Sequence, residues 1–415
     1  MALSESALTS VASSHAEGRR DWALLTGLTF LFAFGFATYA GVFQNFLRDV
    51  HHAGPMQLGG LESTREIPGL LSALMAGSLV ALAEARIATL GLAITAVGIG
   101  VTGLMPKYST VVLITVFWSV GFHLWTAVSQ ALVLNLARGH EGGRHLGRMG
   151  GVSGIATLSA LGLSWLLTRV APHFGYTRYF FLGGAAILAA SILCAKLSNP
   201  PTVAPRKRLI FRREYGLFYL LTFLEGCRRQ IFSIFASYAL IVVYHVPLTS
   251  MLMLQFINAI MIAISAPAMG RVIDKRGEKG PLRFYSIGLI VVFLGYAIVH
   301  NVYALYTLFL LDNILFSFGV GYTTYLNRIV RPGELTPCLA MGVTMNHIAA
   351  VTVPIGGALL WQHFNNYQIP FWVGVTLAIV ALIANRWLPD GVSPRGRLRL
   401  VPETPPQEEQ QAVVE

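Results

Sequence analysis

The sequence predicts an all-α membrane protein, twelve transmembrane helices arranged as two six-helix halves. Three observations predict it. Hydrophobic residues make up 54 % of the 415-residue chain and charged residues only 12 %. A soluble domain carries about 25 % charged residues, so this chain has too few to coat a water-facing surface, and an ordinary soluble enzyme is excluded. Apolar runs of the roughly 20 residues needed to cross a bilayer recur twelve times. The basic residues, finally, gather on one side of those runs.

A polar stretch over 1–20 opens the chain as a tail. The apolar run after it, roughly 22–47, is longer than the h-region of a cleavable signal and is read as the first span. Five more spans follow at roughly 57–83, 86–105, 110–137, 147–170 and 176–197. The longest polar interruption comes next, over 198–214, where Pro200, Pro201 and Pro205 stop the sixth helix ahead of a basic cluster from Arg206 to Arg213. The remaining spans are placed at roughly 215–244, 249–273, 282–300, 303–328, 337–361 and 367–388. The chain thus divides into a half over 21–197, a linker over 198–214 and a half over 215–389. The tail over 390–415, rich in Pro, Glu and Gln, has the composition of a disordered segment.

With the N-terminus taken as cytoplasmic, 23 of the 30 Lys and Arg residues fall at cytoplasmic ends and loops, 4 on the outer side and 3 within helices. The positive-inside rule expects this of an even number of spans with both termini in the cytoplasm. It predicts a multi-pass protein of the plasma or inner membrane, and it accounts for the net charge of +11 without nucleic acid. Nor is there the aromatic–basic interleaving that binds single strands. Cys194, Cys227 and Cys338 sit in or beside apolar runs without CxxC spacing, so they are read as buried apolar residues, with no disulfide or metal site.

The helix starts repeat. Those near 22, 57, 86 and 110 recur near 215, 249, 282 and 303, an offset of about 193 residues, as parallel halves related by an axis along the membrane normal would give. After the eighth run the chain reads Gly270-Arg271-Val272-Ile273-Asp274-Lys275-Arg276-Gly277-Glu278-Lys279. This stretch resembles the loop signature G-x-x-x-D-[RK]-x-G-x-[RK] of the major facilitator superfamily. Together with twelve spans, a central basic linker and the repeat, the resemblance covers residues 20–390. It implies the major facilitator fold, a cavity lined by helices 1, 4, 7 and 10, and a cytoplasmic gate formed by Gly270, Asp274, Lys275 and Arg276. In the first half Ala81 stands where the acid would be, and Glu84 and Arg86 are the nearest substitutes. The fifth run carries Gly147, Gly150, Gly151, Gly154 and Gly162 without a Gly-Pro pair, and these glycines read as close helix packing.

Charges at membrane depth cost about 2.5–3.5 kcal/mol each on insertion scales and default to functional candidates. In helix 7, Glu225, Arg228 and Arg229 are spaced three and four apart and share one face. One acid cannot neutralise two guanidiniums, so Arg228 or Arg229 is expected to hold an anionic group of a solute. Helix 2 carries Glu62, Arg65 and Glu66, and helix 10 carries Asp312. Glu225, Glu66, Arg65, Asp312 and His347 are the candidates for proton coupling or ion pairing. Pairing of helix 2 with helix 7 or helix 11, and of Asp312 with an arginine of helix 7, are the structural alternatives. Tyr39, His123, Trp125 and Asn346 complete the expected solute contacts.

No P-loop and no Gly-x-Ser-x-Gly elbow is present, so neither ATP nor an esterase nucleophile drives the chemistry and no cofactor is expected. The reading is a monomeric secondary transporter, not an enzyme, that moves a small organic, anionic or amphipathic solute by alternating access coupled to protons. Two alternatives stay open: a proton-driven efflux pump whose intramembrane charges are structural, and a transport-inactive receptor-like protein on the same scaffold.

Overall fold

The computed structural model describes residues 5–72, 84–137, 142–198, 211–331 and 334–390. Six helices form the first half: α1 Glu5–Asp49, α2 Pro55–Leu70, α3 Glu84–Val101, α4 Tyr108–Leu136, α5 Gly142–Val170 and α6 Tyr176–Cys194. Six form the second. α7 runs Gly216–Gln230, passes through a π-helical turn over Ile231–Ala236 and ends as Ser237–Val242. α8 is Leu248–Arg276 and α9 Lys279–Ile298. α10 joins Val302–Phe316 to Val320–Ile329 through a 3-10 turn, α11 is Leu335–Phe364 and α12 Ile369–Ala384. No strand occurs among the described residues. Ten of the described segments are long and apolar enough to cross a membrane.

Where both ends are described, the spans lie where the hydropathy placed them, within a few residues. One boundary moves substantially: α1 begins at Glu5, about five turns before the first apolar run, so most of the expected tail is helical. The Gly77–Ala83 stretch, most of the 198–214 linker and the tail beyond Asp390 lie outside the described residues.

Within the first half the helices close on glycines. A β-carbon on Gly35 would lie 2.4 Å from the Gly183 carbonyl oxygen, and one on Gly121 2.4 Å from that of Gly91. Only hydrogen at these positions lets α1 meet α6 and α3 meet α4 backbone to backbone. Around these crossings Tyr39, Phe43, Trp118 and Phe180 form a buried aromatic cluster.

The halves meet along two seams. α2 packs on α11, where a β-carbon on Gly59 would lie 2.4 Å from the Pro354 carbonyl oxygen and the Ile355 amide donates to Ser63 Oγ at 3.0 Å. α5 packs on α8, with Gly162 facing Phe256. The end of the molecule that carries the α1–α2 connection is shut. There Arg48 donates to the Ile241 carbonyl at 2.7 Å and the Val246 carbonyl at 3.3 Å, capping the C-terminal end of α7, and Tyr238 donates to the Ala53 carbonyl.

Among the described residues the opposite end shows no such closure at its glycines. Gly147, Gly150, Gly151 and Gly154 have no described neighbour within 4 Å of an added β-carbon, and neither has Gly270. The expectation that these glycines mediate close packing is therefore corrected. Of the α5 glycines only Gly162, nearer the shut end, faces a described residue of the other half.

Candidate functional site

Two charged clusters lie inside the membrane-spanning region. Glu66 stands eleven residues into α2, about 16 Å along its axis, and Arg229 thirteen residues into α7, about 20 Å along. Both are therefore near the middle of a hydrocarbon layer about 30 Å thick.

The first cluster belongs to the second half alone. Arg228 on α7 is 3 % exposed. Its Nη1 donates to both oxygens of Asp312 on α10, at 3.1 and 2.9 Å, and its Nη2 to Glu225 Oε1 at 3.0 Å. Tyr285 on α9 donates to the other oxygen of Glu225. The rings of Phe316 and Tyr285 lie 5.1 and 5.6 Å from the guanidinium carbon. Two acids, one guanidinium, a hydroxyl and two ring faces close on each other, which is how a buried ion pair avoids an unbalanced desolvation cost. In this arrangement the donors of Arg228 go to Glu225 of its own helix and Asp312 of α10 rather than outward, so it is not presented to a solute here. Asp312 and Glu225 are likewise taken up by this pairing.

Arg229 differs from its neighbour. One residue on, the helix turns it away from the cluster, and it is exposed. It lies 5.4 Å from the Phe316 ring, forms no ion pair among the described residues, and stands within electrostatic reach of Glu66 and Arg65 of the other half.

The second cluster lies on the α2–α11 seam. Arg65 Nη2 pairs with Glu62 at 2.7 Å and with Glu66 Oε1 at 2.8 Å. Glu66 Oε2 points the other way. It lies 3.2 Å from His347 Nδ1 on α11 and 3.9 Å from His123 Nε2 on α4. The two imidazoles meet edge to face, with centroids 5.2 Å apart. Of the two structural alternatives for helix 2, pairing with helix 11 is the one that forms. His347 thus brings a group of the second half onto an acid of the first.

The remaining expected contacts divide the same way. Tyr39 and Trp125 are 2 % and 5 % exposed, packed inside the first half against Trp118 and Phe32 respectively, and neither faces a cavity in this arrangement. Asn346 is half-buried against Gly226, where the first part of α7 crosses α11. At the expected gate Asp274, Lys275 and Arg276 are exposed, and Asp274 forms no ion pair among the described residues. The buried acid of that loop is Glu278, 1 % exposed, 2.9 Å from Arg328 at the end of α10.

Three positioning residues were not singled out from the sequence. Ser119 donates its hydroxyl to the Arg65 carbonyl, and its own carbonyl lies 2.8 Å from His123 Nδ1. A β-carbon on Gly69 would lie 2.4 Å from both His123 Nε2 and His347 Cε1. Tyr285 orients Glu225. Ser119 lies four residues before His123 and Gly69 three after Glu66, spacings that put each on its partner's face. Tyr285 comes from another helix and carries no such signal.

A model of the Major Facilitator Superfamily matches residues 25–330 and again 218–413. No curated protein matches the chain in sequence. Solved structures match it in fold. A mutant form of the nucleoside transporter NupG superposes with a TM-score of 0.74 at 13 % identity, over 88 % of this chain and 98 % of that one. A bacterial homologue of the iron transporter ferroportin in an inward-facing state gives 0.71 at 15 % identity, over 88 % and 98 %. A D-xylose-proton symporter gives 0.70 at 15 % identity, over 90 % and 98 %.

Proposed function

Because the chain belongs to the major facilitator superfamily, we propose that it is a secondary active transporter that carries a small polar or anionic organic solute between its two halves and couples that movement to protons. One observation carries the reading: the mid-membrane acid Glu66 holds a residue of the opposite half, His347, at 3.2 Å across the seam that must part if access alternates. A proton arriving at Glu66 Oε2 removes the charge that attracts His347. Solute approaching from the open end meets Arg229, whose guanidinium is free to bind a carboxylate or hydroxyl in a forked geometry. Arg65, held between Glu62 and Glu66, transmits the charge state of the acid to the cavity.

Orientation follows from the sign of the loops. The open end carries Arg144, Arg148, Arg271, Lys275 and Arg276, and the shut end only a few basic residues such as Arg48 and Lys107. With the positive side in the cytoplasm, both termini are cytoplasmic and the state is open inward. Alternation then consists of opening the Arg48 and Tyr238 contacts and the α2–α11 seam while α5 and α8 close at the glycine-lined end.

The test uses the full chain in liposomes loaded with a pH-sensitive dye. A panel of nucleosides, pentoses and organic acids is added outside, and proton flux is followed. One solute class should evoke proton movement in the wild type and none in Glu66→Gln. Solute-evoked flux of equal size in Glu66→Gln refutes the assignment of the coupling group. An exporter shares every one of these features except direction, and inverted vesicles with an imposed gradient separate the two.

A further inference from the structure

We propose that Glu66, His123 and His347 form a binding site for a divalent first-row transition metal ion, with ligands drawn from both halves of the protein. The ligand atoms are Glu66 Oε2, His123 Nε2 and His347 Nδ1, all within 4.8 Å of one another. A zinc ion about 2.0–2.1 Å from such ligands places tetrahedral neighbours about 3.3 Å apart. The Glu66–His347 spacing is already 3.2 Å. The Glu66–His123 spacing is 3.9 Å and closes with a ring shift of about 0.6 Å to reach that geometry.

The hydrogen-bond pattern around His123 argues for a cation independently of the spacing. The Ser119 hydroxyl gives its hydrogen to the Arg65 carbonyl, so its oxygen can only accept. His123 Nδ1 faces that oxygen at 3.1 Å and the Ser119 carbonyl at 2.8 Å. Nδ1 must therefore carry the hydrogen, which leaves the lone pair of the neutral ring on Nε2. Nε2 of the buried His123 lies 3.9 Å from Oε2 of the half-buried Glu66, so an acceptor nitrogen and a carboxylate oxygen are neighbours there. A cation bound between them, a metal ion or a proton on Nε2, turns this pair into an attractive one, and the titration below separates the two. An imidazole whose far N–H is held by a backbone carbonyl is also the arrangement that orients histidine ligands of metals.

Charge and room agree. Glu62 and Glu66 against Arg65 leave one negative charge at the cluster. Arg229 is the other cation within electrostatic reach, and it is exposed to the gap between the halves. Gly69 lets both rings approach: a methyl group there would lie 2.4 Å from His123 Nε2 and from His347 Cε1, so only hydrogen at this position allows the two imidazoles to converge beside Glu66. Two imidazole nitrogens with one carboxylate oxygen select zinc, iron, cobalt or nickel rather than calcium or magnesium, which take oxygen alone. Glu66 and His123 come from α2 and α4, His347 from α11, so the ion clasps the seam in its closed arrangement.

The experiment reads binding and does not depend on transport. The full chain with His51→Ala and His52→Ala, which remove the loop histidine pair, is purified in detergent and titrated with Co(II), then Zn(II). One equivalent of Co(II) should give visible d–d absorption with intensity above that of the aqua ion, and one equivalent of Zn(II) should displace it and raise the melting temperature. In the same background His347→Gln and His123→Gln should each lose the absorption and the thermal shift while eluting as the same monodisperse species. No tight equivalent of Co(II) in the parent, or the same absorption retained in both variants, overturns the site. Proton flux in the absence of metal tests the transport reading separately, so either can fail alone.

Discussion

The Arg228 cluster and the Glu66 cluster both pair arginine with acids at similar depth, yet their partners are distributed differently between the two halves. Arg228, Glu225, Asp312 and Tyr285 all belong to the second half, and the guanidinium donates there to Asp312 and Glu225 while Tyr285 donates to Glu225. A rigid-body swing of one half against the other leaves such a cluster untouched. Glu66 divides its two oxygens instead, one for Arg65 of its own helix and one for His347 of the other half. Any relative motion at the α2–α11 seam changes its surroundings. A charge inside a membrane is therefore read by which bodies its partners ride on. Burial and spacing alone do not separate the two cases.

The contrast can be broken most sharply at Arg228. Arg228→Ala leaves two buried acids facing each other and should cost about 3–5 kcal/mol, the usual consequence of removing one partner of a buried pair. It should appear as a large fall in melting temperature and in recoverable monodisperse protein. A triple change, Glu225→Gln, Arg228→Met and Asp312→Leu, should restore most of that loss. If Arg228→Ala folds as stably as the wild type, the cluster is not the structural anchor described above.

Next in size is Glu66→Gln. Folding should be nearly unchanged, because Arg65 keeps Glu62 as partner, but solute-driven proton flux should fall by tenfold or more. An unchanged flux together with a collapse of stability would place Glu66 in the same class as Arg228. Third, Arg229→Ala should leave the melting temperature within a few degrees and weaken solute binding by the roughly 1.5–3 kcal/mol of a charged hydrogen bond, a factor of about 10–150. Arg229→Lys should recover part of it if point charge suffices and little if the forked geometry matters.

The smallest effect concerns the open end. Glu334, at the N-terminus of α11, would be pushed up by partial burial, but hydrogen bonds from Tyr215 and Arg212 hold its carboxyl below the ordinary value of 4.5. A depressed folded-state value means that the carboxylate stabilises the fold above the unfolded-state value and loses that contribution as pH falls through the lower folded one. Melting temperature measured from pH 7 down to below 4.5 should fall slightly less steeply in Glu334→Gln than in the wild type. Parallel curves would remove Glu334 from the acid response.

Most of the fold was legible in the chain because the bilayer imposes a one-dimensional constraint. A span must be about 20 apolar residues long, and basic residues mark the side on which a loop remains. Apolar runs and loop charge therefore gave the twelve helices, their order and their two halves. The depth of Glu66, Arg228 and Arg229 followed from counting residues. Their roles did not. Arg228 and Arg229 are adjacent, and a helix turns about 100° between them. Whether that turn points a guanidinium at Asp312 or into the gap depends on helices α9 and α10, which lie far off in sequence.

Pattern and composition determined that this chain is a two-half helical membrane protein with costly charges at mid-depth, since hydrophobic length and loop charge are properties of sequence alone. Tertiary structure decided which charges are spent within one half and which straddle the seam. Residues 66, 123 and 347 are brought within reach of one another only when α2, α4 and α11 pack. No spacing along the chain encodes that meeting, because it is set by how glycine-lined helices cross and by which half each helix moves with.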